Sequence, residues 1–233
     1  DKSILEVRIV GINHATDIKV SDDKPAGLSF MATHRLPATA AFNLSGNNTG
    51  GWHGSPSSPE IPTNNPLRTR MQPGGSTWKT LPTELTGIIK PVKKLTNNVN
   101  GTIDKNYVGT AVTSTDDYLW LPSRSELAGD TKNFNSTTYP WTNQEGMQYE
   151  FFQDKVTDND GANNTILKNM NLTQAGAAIV PDLPGVTCYG DGWWQRSCYP
   201  DGEPDFLASG SGGYPLGGNP ASDRLGVVLG FSL

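Results

Sequence analysis

The segment C-Y-G-D-G-W-W-Q-R, from Cys188 to Arg196, is the most distinctive stretch of this chain. In an extended backbone neighbouring side chains point to opposite faces, so Trp193 and Trp194 are predicted to point in opposite directions. Tryptophan and arginine are also the residues that dominate binding hot spots. Two interpretations stay open at this point. Both rings and Arg196 form a contact surface, or they pack inside the chain while Arg196 holds a carboxylate or a carbonyl group.

The residues around this segment have the Tyr, Asn, Asp, Ser and Gly composition of adaptable recognition loops. We therefore expect residues 188–224 to form ligand-binding loops. The candidate ligand-binding residues are Tyr189, Asp191, Trp193, Trp194, Arg196, Tyr199, Asp201, Asp205, Tyr214, Asn219 and Asp223.

Two cysteines, Cys188 and Cys198, flank the tryptophan pair. A disulfide between them would close a short loop and fix its shape, which suits an extracellular protein. Two reduced, partly buried thiols are the alternative. A zinc site is not expected, because the three histidines lie far away in the sequence and a second cysteine pair is missing.

Composition and charge narrow the function classes. The 233 residues are consistent with one loop-rich domain, and 26 Gly and 17 Pro predict extensive irregular backbone. A net charge of −5 without a basic run argues against nucleic-acid binding. We also expect no membrane insertion and no signal peptide, because long apolar runs are missing.

Metal and catalytic motifs are weak. The segment around Asp154, Asp158 and Asp160 imitates a calcium loop, but the closing Glu of an EF-hand is missing. Glu203-Pro204-Asp205 is a near match to the Glu-Pro-Asn motif of sugar-binding lectins. We predict no cofactor, with calcium as the weaker alternative. No spacing of Ser, His, Asp or Glu singles out a catalytic set, so catalytic residues are not assigned.

Alternating apolar residues predict strands at both ends of the chain, over Ile4 to Ile12 and over the terminal G-V-V-L-G-F-S-L. A further strand is expected over 27–36, another over 116–121, and a strand or short helix over 147–152. A short helix is expected over 64–71, and a second runs along 78–86 and continues through Ile88 and Ile89 until Pro91 stops it. Ser123 with Glu126 forms a capping box that opens a further helical turn. Residues 38–72 look like a loop-rich insertion anchored by Trp52, and 96–115 like a loop or hairpin.

The order of seven sequence blocks resembles a widespread, functionally uncharacterised bacterial and phage domain family. Its signature is W-W-L-R-S followed by a C-terminal G-V-R-P-A-L strand. The blocks here are G-I-N-H (11–14), A-G-L-S-F-M (26–31), N-N-T-G-G-W (47–52), L-P-T-E-L-T-G-I-I-K-P-V-K-K (81–94), D-Y-L-W-L-P-S-R-S-E-L (117–127), W-W-Q-R-S (193–197) and G-V-V-L-G-F-S-L (226–233). Gln195 and G-V-V-L-G depart from the family pattern, and Arg224 is the nearest replacement for its last arginine.

That family is similar to the C-type lectin fold in its formylglycine-generating-enzyme-like form, which also serves phage host-binding proteins and variable proteins of diversity-generating retroelements. The resemblance implies a single α+β domain over residues 1–233, with paired N- and C-terminal strands, two short helices and extensive loops. It implies a non-enzymatic receptor- or glycan-recognition domain that is extracellular, on a virion or on a cell surface. The partner would be a host surface protein or glycan.

Two other functions stay open. The chain could be a decoration or assembly domain, within a homo-oligomer such as a trimer or within a larger virion or surface assembly. It could also be a formylglycine-generating-type oxidase, for which Cys188 and Cys198 are the candidate thiols.

Overall fold

The computed structural model describes residues 5–36, 39–43, 51–52, 67–97, 112–129, 144–157, 164–172, 192–199, 205–215 and 217–233. Within these ranges the chain is rich in β-sheet, and its helices are short. The strands are β1 (Val7–Ile12), β2 (Ile18–Lys19), β3 (Leu28–Ala32), β4 (Thr39–Ala41), β5 (Val92–Asn97), β6 (Val112–Asp117), β7 (Leu119–Trp120), β8 (Gly192–Cys198), β9 (Asp205–Gly210), β10 (Gly217–Pro220), β11 (Arg224–Gly226) and β12 (Gly230–Ser232). The α-helices are α1 (Leu67–Met71), α2 (Thr83–Thr86), α3 (Arg124–Ala128) and α4 (Thr165–Met170), and a 3-10 helix covers Trp78–Thr80.

The strands form three sheets. The first has the order β1-β3-β12-β7 and is antiparallel throughout. The second has the order β10-β9-β8-β11-β4, in which only β8 and β11 are parallel. The third has the order β2-β5-β6. This mixture of sheets and short helices is compatible with the predicted α+β class.

The first and last strands lie in one sheet, but the predicted direct pairing between them was wrong. β3 lies between β1 and β12 and pairs with both. Its composition explains this position: Phe30 stacks on Phe231 with a 5.2 Å centroid distance, while Met31 and Ala32 are buried. β1 carries the exposed residues Arg8 and Ile12, which suit the edge of a sheet better than its centre.

The strand predicted over 226–233 is interrupted, because β11 ends at Gly226 and β12 begins at Gly230, but the side chains of this segment alternate between two cores as predicted. Val227, Leu229 and Phe231 belong to one cluster of buried apolar side chains, and Val228 belongs to a second. Gly230 allows this strand to approach its neighbour, because a Cβ atom there would lie 2.1 Å from the Trp120 ring. Two cores are therefore packed on either side of the strands that end the chain.

The helix predictions were right in place but not in number. α1 lies within 64–71, and α3 has the full capping box of Ser123 and Glu126. The 3-10 helix and α2 lie within 78–86, but α2 ends at Thr86, so the predicted continuation to Pro91 was wrong. With α4, the described chain has four short α-helices instead of two. Residues 147–149 have no regular secondary structure and 150–152 form a turn, so the predicted strand or helix is missing there.

The other predicted segments differ from expectation in two ways. Two predicted loop regions contain strands or a helix, and one predicted strand is interrupted. Residues 96–115 include the paired ends of the antiparallel strands β5 and β6, which agrees with the hairpin alternative. The strand predicted over 116–121 is interrupted at Tyr118. The loop-rich insertion 38–72 contributes β4 and α1 to the fold. Trp52 anchors it as predicted, since its ring is buried and its Nε1 donates to Asp117 Oδ2 at 2.7 Å.

No helix in the described ranges is long and apolar enough to cross a membrane.

Candidate functional site

The two tryptophans of β8 point in opposite directions, and both are fully buried. Trp193 packs in the second apolar cluster and donates from Nε1 to the Leu167 carbonyl at 3.3 Å. Trp194 packs in the first cluster and donates from Nε1 to the Ala40 carbonyl at 2.7 Å. Each ring has 0% exposed surface. The sequence-based assignment of these rings as ligand contacts is therefore corrected: in this structure they are packing residues.

Arg196 is also buried, and its guanidinium group joins three parts of the chain to β8. It binds both carboxylate oxygens of Glu126, at 2.5 Å from Nη1 and 2.9 Å from Nη2. It also donates to the carbonyls of Leu95, at 3.0 Å, and Glu145, at 2.7 Å. Two-pronged binding of a carboxylate is the strongest geometry that arginine offers. Arg196 is therefore a scaffold residue, which corrects its assignment as a ligand contact.

Lys94 brings a second positive charge to Glu126. Its Nζ donates to Glu126 Oε1 at 3.0 Å and to the Tyr149 hydroxyl at 2.6 Å, and it also contacts Asp17. The same ammonium group lies 3.8 Å from the centroid of the Trp120 ring. Burial of a charge is tolerated only when partners replace the lost water, and Lys94 has four of them.

We call this group the buried cluster. Its members are Asp17, Lys94, Glu126, Glu145, Tyr149 and Arg196, all of which are 0–1% exposed. Sequence reasoning placed Glu126 only in a helix cap and missed the other partners of Arg196. Because these residues lie on separate elements, no spacing in the sequence indicates that they meet.

The pKa values of the two glutamates in the buried cluster are shifted in opposite directions. Burial by itself would raise the pKa of Glu126, but the charges of Arg196 and Lys94 outweigh it and lower that pKa to about 2. Burial raises the pKa of Glu145 to about 7, because hydrogen bonds from Ser197 and Asn97 compensate only in part. Burial and the charge of Asp17 also hold the pKa of Tyr149 well above its usual value.

The buried cluster connects distant segments of the described chain, and its side chains are enclosed. Its oxygen and nitrogen atoms bind one another, and Gly146 packs so closely on Glu126 that a Cβ atom there would lie 2.9 Å from Oε1. Among the residues that the structure describes, no group of three or more His, Cys, Asp or Glu side chains has the arrangement of a metal site.

Four predicted ligand-binding residues come together elsewhere, where β8 ends and β9 and β10 pair. We call them the rim cluster: Tyr199, Asp205, Asn219 and Asp223. The Tyr199 amide donates to the Asp205 carbonyl at 3.0 Å, and Asn219 Nδ2 donates to Asp223 Oδ2 at 3.4 Å. A Cβ atom at Gly218 would lie 3.1 Å from both the Tyr199 ring and Asp205 Oδ2. Tyr199 and Asp205 therefore flank this glycine.

The rim cluster is half-buried, unlike the tryptophan pair. Partial burial and the neighbouring charge of Asp223 raise the pKa of Asp205. Two carboxylates, an amide and a phenol thus share one partly solvated position. Such a group can donate and accept hydrogen bonds and can attract a positive charge.

Tyr214 does not belong to the rim cluster. It lies in the turn after β9, where its carbonyl accepts a hydrogen bond from the Gly210 amide at 2.9 Å, and its side chain is 36% exposed. β9 has six residues and is therefore about 20 Å long. Because Asp205 begins β9 and Tyr214 follows its end, the two are at opposite ends of this strand.

The remaining predictions fall wholly or partly outside the described residues. Cys188, Tyr189, Asp191 and Asp201 lie outside them, as do Asp158 and Asp160 of the calcium-like loop. Cys198 is described and buried. The disulfide, the calcium alternative and the cysteine-oxidase alternative stay predictions.

Comparisons with family models, with curated proteins and with solved structures found no match to this chain.

Proposed function

We propose that this chain is a recognition domain of the C-type-lectin-like kind, displayed outside the cell, that binds a host surface protein or glycan through the rim cluster. One observation carries the proposal. Four residues chosen from the sequence as ligand contacts, which are separated by up to 24 positions, come together partly exposed at one end of the second sheet.

The chemistry of the rim cluster suits such a ligand. Tyrosine offers a flat, rigid contact, while asparagine and aspartate offer adaptable hydrogen bonds. Hydroxyl groups of a sugar or lysine and arginine side chains of a protein would both find partners there. The buried cluster supports this role indirectly, since a recognition surface on a rigid frame loses less entropy on binding.

Binding of the whole chain to a glycan array and to host-cell surface extracts tests this proposal. The variant Tyr199→Ser/Asn219→Ala/Asp223→Ala should lose at least about tenfold in affinity, since central contacts often contribute 1–2 kcal/mol or more each. Tyr214→Ser, at the far end of β9, is the matched control and should bind as the wild type does. Near-UV circular dichroism confirms that both variants are folded.

Equal binding by the triple variant and the wild type would remove the rim cluster as the binding site.

An assembly role is the second candidate, and the edge strand β1 favours it. Ile9 and Ile12 on this strand are 44% and 64% exposed. Exposed apolar residues on a sheet edge are typical of a surface that another chain covers. If assembly is the function, Ile12→Lys should dissociate an oligomer in light scattering and leave ligand binding unchanged.

A further inference from the structure

Glu145 connects three elements of the frame through both its side chain and its backbone. Its Oε1 accepts the amide hydrogen of Asn97, at the end of β5, at 2.8 Å. Its Oε2 lies 2.7 Å from the Ser197 hydroxyl on β8. Its carbonyl oxygen accepts from Arg196 at 2.7 Å and from the Ser123 hydroxyl, the cap of α3, at 2.9 Å. Glu145 thus connects its segment to β5, β8 and α3, and Tyr149 adds further hydrogen bonds to Lys94 of β5 and to the Glu126 carbonyl of α3.

The positive charges of the buried cluster are already used by other carboxylates. Arg196 binds both oxygens of Glu126, and Lys94 contacts Asp17 and Glu126. Among these contacts, Arg196 binds the backbone carbonyl of Glu145, and Lys94 does not bind Glu145. The hydrogen bonds to the Glu145 carboxyl group come from the Asn97 amide and the Ser197 hydroxyl.

A charge balance follows from these contacts. With Asp17 and Glu126 ionised, the two cations are matched by two anions. An ionised Glu145 would add a third anion to a group of side chains that are 0–1% exposed. Such an uncompensated buried charge is strongly unfavourable, so a carboxyl group in this position keeps its proton.

We propose that Glu145 is a neutral carboxylic acid in the folded chain and that its ionisation acts as a pH-responsive release of the Glu145 side chain from Asn97 of β5 and Ser197 of β8. The neutral group fits the geometry. The two oxygens of the neutral acid can still accept the Asn97 amide hydrogen and the Ser197 hydroxyl hydrogen, while Ser197 Oγ accepts the Arg124 amide hydrogen at 3.0 Å.

Titratable and polar groups from three elements face Glu145. They are Arg196 and Ser197 of β8, Glu126 of α3 and Asn97 of β5, and Lys94, Tyr149 and Asp17 complete the cluster behind them.

The sign of the pH dependence follows from burial, which raises the pKa of Glu145 from 4.5 in an ordinary glutamate to about 7. Below pH 4.5 the carboxyl is protonated in both the folded and the unfolded chain, and the folded state keeps its full stability. As pH rises from 4.5 the unfolded chain releases this proton first, so stability declines and its loss is complete once pH passes about 7.

Infrared titration of the whole chain tests the proposal directly. A protonated buried carboxyl should give a carbonyl stretching band at pH 6 that disappears as pH rises through neutrality. Glu145→Gln should lack this band, whereas Glu84→Gln, which changes an exposed glutamate of α2, should retain it. The protection of the Asn97 amide hydrogen, which is the factor by which its exchange is slower than that of an unstructured peptide at the same pH, should decrease over this pH range in the wild type and stay constant in Glu145→Gln.

Urea unfolding provides the second measurement. Between about pH 4.5 and pH 8 the folding equilibrium constant of the wild type should fall on the order of 10²-fold more than that of Glu145→Gln, since each unit of pKa difference corresponds to tenfold. If the glutamine variant does not fold, the infrared band of the wild type still decides. Absence of that band at pH 6, or equal pH dependence in both proteins, would overturn the proposal.

Discussion

The buried cluster brings three carboxyl groups together and the rim cluster brings two, but their surroundings differ. In the buried cluster, Glu126 has Arg196 and Lys94 against its oxygens, and its pKa is lowered to about 2. At the rim, the charge that acts on Asp205 is that of another carboxylate, Asp223, and the pKa of Asp205 is raised. Full burial requires compensation by opposite charge, whereas partial solvation tolerates like charges side by side. We infer that the first cluster maintains the frame and that the second is available for contacts.

Loss of Arg196 should lower the stability of the folded chain more than any change at the rim cluster. Arg196→Met leaves a buried Glu126 with Lys94 as its remaining cation, so we expect the free energy of unfolding to fall by about 3–5 kcal/mol in urea denaturation. Arg8→Met is the matched control. Arg8 is exposed, with its guanidinium 4.5 Å from the Phe151 ring, and the change should cost at most about 1 kcal/mol. Similar losses in both variants would contradict the frame role of Arg196.

Acid should weaken the buried cluster through Glu126. Its pKa is about 2 in the folded chain and 4.5 in an ordinary glutamate, so the stability it contributes is present above pH 4.5 and is lost as pH falls through 2. The contribution is on the order of 3 kcal/mol. Urea denaturation between these pH values measures it. In Glu126→Gln this acid-dependent part should be missing, and its persistence would assign the effect to other carboxylates.

A third prediction concerns apolar packing in the frame. Gly230→Ala would place a Cβ atom 2.1 Å from the Trp120 ring, which must shift to accept it. We expect a loss of about 1–3 kcal/mol in the free energy of unfolding, with a changed near-UV tryptophan signal. Gly27→Ala is the control, because the nearest atom to its Cβ would be the Leu233 carbonyl at 3.6 Å, an ordinary contact. An unchanged Gly230→Ala variant would mean that β7 and β12 are less closely packed than described.

The smallest stability effect is expected at the rim. Asp223→Asn removes the charge that acts on Asp205, so the pKa of Asp205 should decrease, while stability should change by no more than about 0.5 kcal/mol. Carbon-13 NMR titration of the aspartate carboxyl groups measures the shift. Asp22→Asn, in an exposed turn, should leave the Asp205 titration unchanged. A large loss of stability in Asp223→Asn would mean that the rim is structural as well.

Local sequence patterns allowed part of the fold and part of the rim cluster to be predicted. The capping box at Ser123 was visible because its two partners are three positions apart, and the residue types of the rim cluster were visible in the composition of the last segment. The contact role given to Trp193, Trp194 and Arg196 was not supported, because residue type alone does not distinguish a binding aromatic residue from a buried one. The buried cluster was missed, since Asp17 and Glu126 are 109 positions apart and are joined through Lys94 and Tyr149.

The amino-acid sequence by itself determined the alternation of the terminal strand, the opposite directions of the two tryptophans and the positions of three short helices. These features depend on neighbours within a few residues, which the chain specifies locally. Only the tertiary structure decided that β3 lies between β1 and β12, that the tryptophan pair faces inward and that six polar residues share one dry interior. Those outcomes depend on contacts between apolar surfaces and between charges that are far apart in the sequence. Such contacts contribute to stability only when the chain is folded.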